Sequence, residues 1–185
     1  MQTPIKQSKS ERTKANIARA AAALFAANGY ERTSVRDVAA AADIDPAMVL
    51  RYFGSKDALF TEVTTFNLGL PDLTVIERDK VGKFLARHYL ALWDGGGGGL
   101  HILLRSAVCN EIAAARMREI FAQQVLPAIA SVAPDAAATR AALVGSQLLG
   151  VGLGRYLLKL PPLVDMPMDQ LVARVGRTLQ AYIFE

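Results

Sequence analysis

Between Thr33 and Phe60 the chain reads TSVRDVAAAADIDPAMVLRYFGSKDALF, and its second half sets Met48, Arg51 and Tyr52 on one side of a short helix. A guanidinium fork matches the edge of guanine, and an apolar side chain such as Met48 can touch the methyl group of thymine. Both are chemistries of the DNA major groove. They demand a helix that stands out from its support and carries a basic, aromatic end. A helical hairpin inside an ordinary all-α domain shares the outline, so the elements around the segment must decide.

Those elements are marked by their ends. Ser34, with Thr33 as the next candidate, can cap a first helix. On it Val35, Val38, Ala39 and Ala42 fall at i, i+3, i+4 and i+7 and form an apolar face, with Arg36 and Asp37 directed elsewhere. The run ends at Asp43-Ile44-Asp45, and Asp is one of the few residues besides Gly that tolerates a left-handed backbone. Asp45 reads as the next N-cap, and Pro46 sits where its missing N–H costs nothing. The second helix is expected from Pro46 to about Phe53, anchored by Val49, Leu50 and Phe53 and stopped by Gly54; Ser55 caps a third that opens Lys56-Asp57-Ala58-Leu59-Phe60. A longer helix precedes them, Glu11 to Asn28, closed by Gly29. Its Ile17, Ala20, Leu24 and Phe25 repeat at helical spacing, and Leu24 and Phe25 are placed to pack under the two short helices.

From about Arg12 to Val63 the chain resembles the DNA-binding domain of the TetR family of transcriptional regulators. The resemblance is carried by Ile17 through Phe25 with Asn28-Gly29-Tyr30, by Thr33 through Ala39, and by Arg51 through Leu59, in order and correctly spaced. The family often has Gly where this chain has Asp43, Thr at Met48 and Tyr at Leu50. Leu50 is expected in the core, which leaves Met48 as an apolar contact. The resemblance implies that Ser34 and Arg36 hold phosphates, that Ala47, Met48 and Arg51 face base edges, and that Tyr52 and Lys56 hold flanking phosphates. Backbone N–H groups at the start of the third helix would add to these.

Composition agrees with a helical protein that meets a polyanion. Of 185 residues, 52% are hydrophobic, 21% charged and 7% aromatic, and the net charge is +4 with a pI near 9.4. Arg116, Arg118, Arg140, Arg155, Arg174 and Arg177 lie far from the basic segment and are expected on solvated helix faces and in ion pairs. One cysteine, Cys109, allows no disulfide within the chain and fits a reducing cytoplasm. No signal peptide is apparent in MQTPIKQSKSERTK, and no run reaches the ~20 apolar residues of a membrane span, so a cytoplasmic protein is expected. Residues 1–10 are expected as a disordered basic arm, with Lys6 and Lys9 able to trail into the minor groove.

Beyond residue 66 the pattern is a helical body spanning 67–185. Helices are expected from about Asp79 to Trp93, from Leu100 to Ile112, and from Glu111 or Ala115 to Ser131 with a bend near Pro127. The five glycines from Gly95 to Gly99 read as a flexible loop, since backbone entropy opposes any regular element there. A long helix from Ala136 to about Leu160 carries Gly145, Ser146, Gly150, Gly152 and Gly154, whose cost in a helix calls for close helix–helix approach. Pro161-Pro162 ends it, and Asp169 is expected to cap the last helix, Gln170 to Phe184. These two helices look like one of the TetR family's recurring C-terminal domains.

The fold expected is all-α: an N-terminal three-helix helix–turn–helix domain over 11–66 and a C-terminal helical ligand-binding and dimerisation domain. Family resemblance implies a homodimer paired through the last two helices, binding a pseudo-palindromic operator in double-stranded DNA as a repressor. It also implies release by a small molecule, and Tyr89, Trp93, His101, Arg105, Cys109, Phe121, Gln147 and Tyr156 are candidates to line the pocket. Their make-up suits an apolar or aromatic effector. A helical ligand-binding protein that has lost DNA binding is the alternative, kept open by the missing polar groups at Met48 and Leu50. An enzyme is not expected: His101 and Cys109 lie two helical turns apart, and no HxxxH or CxxC spacing marks a metal site. No cofactor, metal or membrane partner is expected.

Overall fold

The computed structural model describes residues 8–65, 67–95 and 98–185, and among these every regular element is helical. The chain forms two compact units. One comprises residues up to Thr65 together with Gly98–Ala114; the other comprises Phe66–Gly97 and Ala115–Glu185.

The first unit holds α1 (Lys9–Asn28), α2 (Val35–Ala41), α3 (Pro46–Phe53), α4 (Lys56–Thr64) and α6 (Gly98–Ser106). Helix α1 starts two residues before Glu11, because Ser8 and Glu11 form a capping box, so Lys9 and Ser10 are helical rather than part of an arm. Lys6 and the rest of 1–7 lie outside the described residues. Every later helix of the reading segment starts and stops where a short polar residue or glycine allows it. Ser34 and Asp37 cap each other, Asp45 Oδ1 accepts from the Ala47 N–H at 2.7 Å, and Ser55 Oγ accepts from the Ala58 N–H at 3.0 Å. Gly29 and Gly54 close α1 and α3 at φ of 79° and 80°.

Asp43 turns the corner between α2 and α3 at φ 53°, the left-handed position that this residue type tolerates. Asp43→Val adds a β-branched clash at that φ and is expected to cost about 1–2 kcal/mol, read as a lower denaturation midpoint with an unchanged slope.

Beneath the corner Ile17, Ala21, Phe25, Val38, Ala39, Val49, Leu59 and Phe60 are buried. Phe60 meets Phe25 and Tyr30 edge-on, with centroids 5.1 and 5.0 Å apart. Thr33, buried to 1% exposure, donates from Oγ1 to the Gly29 carbonyl at 2.9 Å and ties the α1–α2 link to the end of α1. Leu50 departs from expectation: it is 46% exposed on the outer face of α3, while Val49 and Phe53 make the inward anchors. The reason is angular, since 49 and 53 fall one turn apart and 50 lies about 100° from 49.

Helix α6 also departs. Gly98 and Gly99 belong to its first turn, although five glycines disfavour any helix. A side chain at Gly99 would lie 3.0 Å from the Thr64 carbonyl oxygen, so the missing Cβ lets α6 press against the end of α4. That contact places 98–114 with the reading segment, unlike the contiguous division at 66/67. The helix expected through Ile112 stops at Ser106. After a turn, Asn110 caps α7 (Glu111–Ile120) by accepting from the Ala113 N–H at 3.0 Å.

The second unit is built on α5 (Val81–Asp94), α9 (Ala137–Gly152) and α11 (Met168–Phe184), with α8 (Leu126–Ala130) and α10 (Pro161–Val164) between them. Helices α5 and α11 make its closest crossing at two facing glycines, Gly82 and Gly176. Gln180 fastens the crossing: its Oε1 accepts from the Gly82 N–H at 2.8 Å and its Nε2 donates to the Arg78 carbonyl at 2.7 Å. Leu171, Val172, Val175, Leu179 and Ile183 of α11 are buried within the unit. Arg140 reaches from α9 to the end of α11 and donates to the Ile183 carbonyl at 2.7 Å, satisfying a terminal acceptor.

Three ends differ from expectation. The bend near Pro127 is a π-helical turn, Phe121–Val125, which absorbs the hydrogen bond that the proline cannot make. Helix α9 gives way at Leu153–Leu157 to a second π turn, left-handed Lys159 stops the run, and Pro161 begins α10 rather than ending the long helix. Asp169 does not cap α11. Pro167 precedes the helix, and Asp169 sits in the first turn paired with Arg87 at 2.7 Å, an exposed pair of small energetic weight.

Candidate nucleic-acid interface

The outer face of α3 carries Ala47, Leu50 and Arg51, all exposed. Residues 47, 50 and 51 stand at i, i+3 and i+4, so their side chains share one strip of the helix. Met48 flanks it and is half-buried, and no described side chain pairs with Arg51. Pro46 at N1 and Asp45 at the cap fix the helix start, while Val49 at 1% exposure fixes its rotation. The strip is therefore held by the backbone and core, with its tips left free.

Around the strip lie the groups expected to hold phosphates. Ser34 is exposed at the start of α2, but its hydroxyl is engaged with Asp37: Oγ donates to Oδ2 at 2.7 Å and accepts from the Asp37 N–H at 3.1 Å. The Ser34 hydroxyl and its N–H hold the Asp37 carboxyl below the usual carboxylate range, so the box persists above that range and opens only as acid protonates Asp37. Arg36 is exposed in the first turn of the same helix. Tyr52 is half-buried, and its hydroxyl accepts from Ser10 Oγ of α1 at 3.3 Å. Lys56 begins α4 with its ammonium 4.0 Å above the ring of Tyr30. Tyr30 in turn donates its hydroxyl to Asp57, and burial together with that carboxylate pushes the phenol well above its ordinary range. Sequence reasoning missed two members of this arrangement, Tyr30 as the rest for Lys56 and Leu50 on the reading strip. The first leaves no local signal, and the second was misjudged because an apolar residue beside Val49 reads as core.

The candidate effector residues are divided. His101, Arg105 and Cys109 belong to the first unit, with Cys109 exposed in the turn after α6. Tyr89, Trp93, Phe121, Gln147 and Tyr156 belong to the second. There Trp93 stacks on Tyr156 at 4.8 Å, and Gly152 makes the close approach that its cost called for, since a Cβ would sit 2.4 Å from the Tyr89 hydroxyl. Phe121 packs opposite Gly145. A cavity of about 40 Å³ opens beside Tyr89, lined by Leu68, Leu70, Leu85, His88, Leu92, Val125 and Leu148 among others. Tyr89 alone among the candidates lines it. Its edge is a strap, residues 67–70: the Leu68 N–H donates to Gln124 Oε1 at 2.7 Å, and the Leu68 carbonyl meets His88 Nε2 at 2.7 Å.

A capped trihelical head with an exposed second short helix defines a helix–turn–helix domain. Comparison with known proteins gives its kinship. Residues 17–63 match the family model of bacterial regulatory proteins of the tetR family, and residues 79–183 match that of the tetracyclin repressor-like C-terminal domain. This chain belongs to the TetR family. It is 38% identical over 95 residues to the HTH-type transcriptional repressor Rv3405c of Mycobacterium tuberculosis, a match that covers 46% of this chain and 49% of that one. The match thus spans about half the length of that relative. The crystal structure of a TetR-family regulator from Streptomyces coelicolor A3 superimposes over 98% of this chain and 99% of its own, with a TM-score of 0.65 and 26% identity. A TetR-like transcriptional regulator from Rhodococcus sp. RHA1 shares the fold at a TM-score of 0.64 and 16% identity, over 94% of this chain and 96% of its own. These kin are transcriptional regulators. Among the described residues no helix is long and apolar enough to cross a membrane.

Proposed function

We propose that the chain is a transcriptional repressor that binds a pseudo-palindromic operator as a homodimer and is released by a small apolar or aromatic ligand. The observation that carries the DNA reading is the strip of α3, exposed along Ala47, Leu50 and Arg51 and flanked by Arg36, Tyr52 and Lys56. Arg51 reads guanine through its fork, and Met48 supplies an apolar edge. Arg36, Tyr52 and Lys56 set register on the phosphates, with Ser34 offering its exposed end of α2. Selection of bound duplexes from random DNA tests the reading: two inverted half-sites, about 34–36 Å apart or a multiple, are the expected product. Lys56→Ala is expected to weaken binding to all duplexes alike and to reduce the slope of log affinity against log salt by about one.

Pairing is supported by what α9 leaves outside. Leu143 of α9 and Leu153 at the start of the π turn that continues it are 41% and 39% exposed, and Ala142, Ser146 and Gly150 lie along α9. Helix α11 adds Ala173 and Arg177. Small residues between leucines permit close packing against a second copy about a two-fold axis. The ligand reading rests on the apolar cavity under the strap. At about 40 Å³ it holds little more than a water-sized guest. An effector of ordinary size therefore enters by displacing Leu68 or Tyr89, and one bound to a wider form shifts the population toward it.

A further inference from the structure

On α3 the residues with hydrogen-bonding side chains are Arg51 and Tyr52; Ala47, Met48, Val49 and Leu50 have none to donate. Of these four, Val49 is buried and Met48 half-buried, while Ala47 and Leu50 project from the strip that also carries Arg51. Leu50 is the longer side chain of the two and stands 46% exposed. A lone exposed leucine is ordinary on a protein surface. This one lies next to Arg51, with Arg36 and Lys56 in the same unit to draw a polyanion to that side. In the major groove the base edges offer hydrogen-bond donors and acceptors at nearly every point, and one apolar group, the C5 methyl of thymine. An apolar side chain on the strip gains most from that methyl, the largest apolar group on a base edge.

We infer that Leu50 is a specificity-determining residue that reads a thymine methyl in each half-site. The inference rests on the DNA reading above and deepens it. Side chains on one helix face stand about 5–6 Å apart and base pairs stack every ~3.4 Å. The thymine therefore lies within about two base pairs of the guanine taken by Arg51. The class of sequence follows: half-sites that join a guanine to a nearby thymine, read by one fork and one apolar tip.

The test uses the purified full chain and the duplexes recovered by selection. Each thymine of a half-site is replaced in turn by deoxyuridine, which deletes the methyl and keeps every hydrogen bond. One position per half-site is expected to show about fourfold weaker binding to the wild-type protein, the effect of one apolar carbon. Leu50→Ala is expected to bind the thymine and uracil duplexes equally, and Met48→Ala to keep the penalty at that position. Since Leu50 supports no core, Leu50→Ala should melt with the wild type; Leu50→Met, which keeps an apolar tip, should restore preference for thymine. Duplexes enriched with no uracil penalty anywhere, or a penalty that survives Leu50→Ala, would overturn the assignment and leave the repressor reading standing. Recovery of no preferred duplex would overturn both.

Discussion

Arg51→Ala is expected to remove about 1–3 kcal/mol of base discrimination from each half-site, hence about twice that from a symmetric operator bound by two copies. At ~1.4 kcal/mol per tenfold, the variant loses between one and four decades of affinity for the selected duplex. It should bind random DNA nearly as well as before, since the phosphate contacts proposed for Arg36 and Lys56 are untouched. The fold is spared, because Arg51 is exposed and no described side chain pairs with it. Competition among four duplexes that differ at the contacted position gives the readout: the wild type ranks guanine first and the variant ranks none. An unchanged ranking in Arg51→Ala would assign the arginine to a phosphate instead.

The largest effect on stability is expected from Gly82→Ala. A methyl there would lie 2.3 Å from the Gly176 carbonyl oxygen and 2.5 Å from the Gln180 nitrogen, both main-chain atoms that cannot swing aside. Helix propensity gains about 1 kcal/mol from the change, and separating the two helices costs several times that. A net loss of about 3 kcal/mol lowers the melting temperature by roughly 6–12 °C for a chain of this size. Gly145→Ala serves as the control of opposite sign. A methyl at that position would meet only the Phe121 ring, at an ordinary contact of 3.8 Å, so propensity dominates and the variant should gain up to ~1 kcal/mol. Equal melting of both variants with the wild type would refute the close crossing of α5 and α11.

How legible these features were depended on how local their causes are. Caps at Ser34, Asp45 and Ser55, the stop at Gly54 and the left-handed corner at Asp43 are decided within three or four residues, and the sequence alone placed them. The family assignment followed from the same segment. Leu50 was misplaced because periodicity over an eight-residue helix fixes its axis poorly. Gly98–Gly99 entered a helix against their own propensity, and at Gly99 the main chain of Thr64, far off in the sequence, leaves little room for a side chain. Asp169 had the right residue type for a cap but stands inside the first turn, behind Pro167. The cavity was beyond reach for a similar reason: its wall mixes the 67–70 strap with α5, α8 and α9, and no spacing along the sequence records that meeting.

The perch of Lys56 on Tyr30 bears on how binding is divided between enthalpy and entropy. A lysine side chain that is ordered from solution gives up as much as ~2 kcal/mol of rotamer freedom. Here the ring 4.0 Å beneath the ammonium has already narrowed those rotamers during folding. In the proposed DNA complex the cation would meet its phosphate preorganised, so that little of the attraction is consumed in taming a floppy chain.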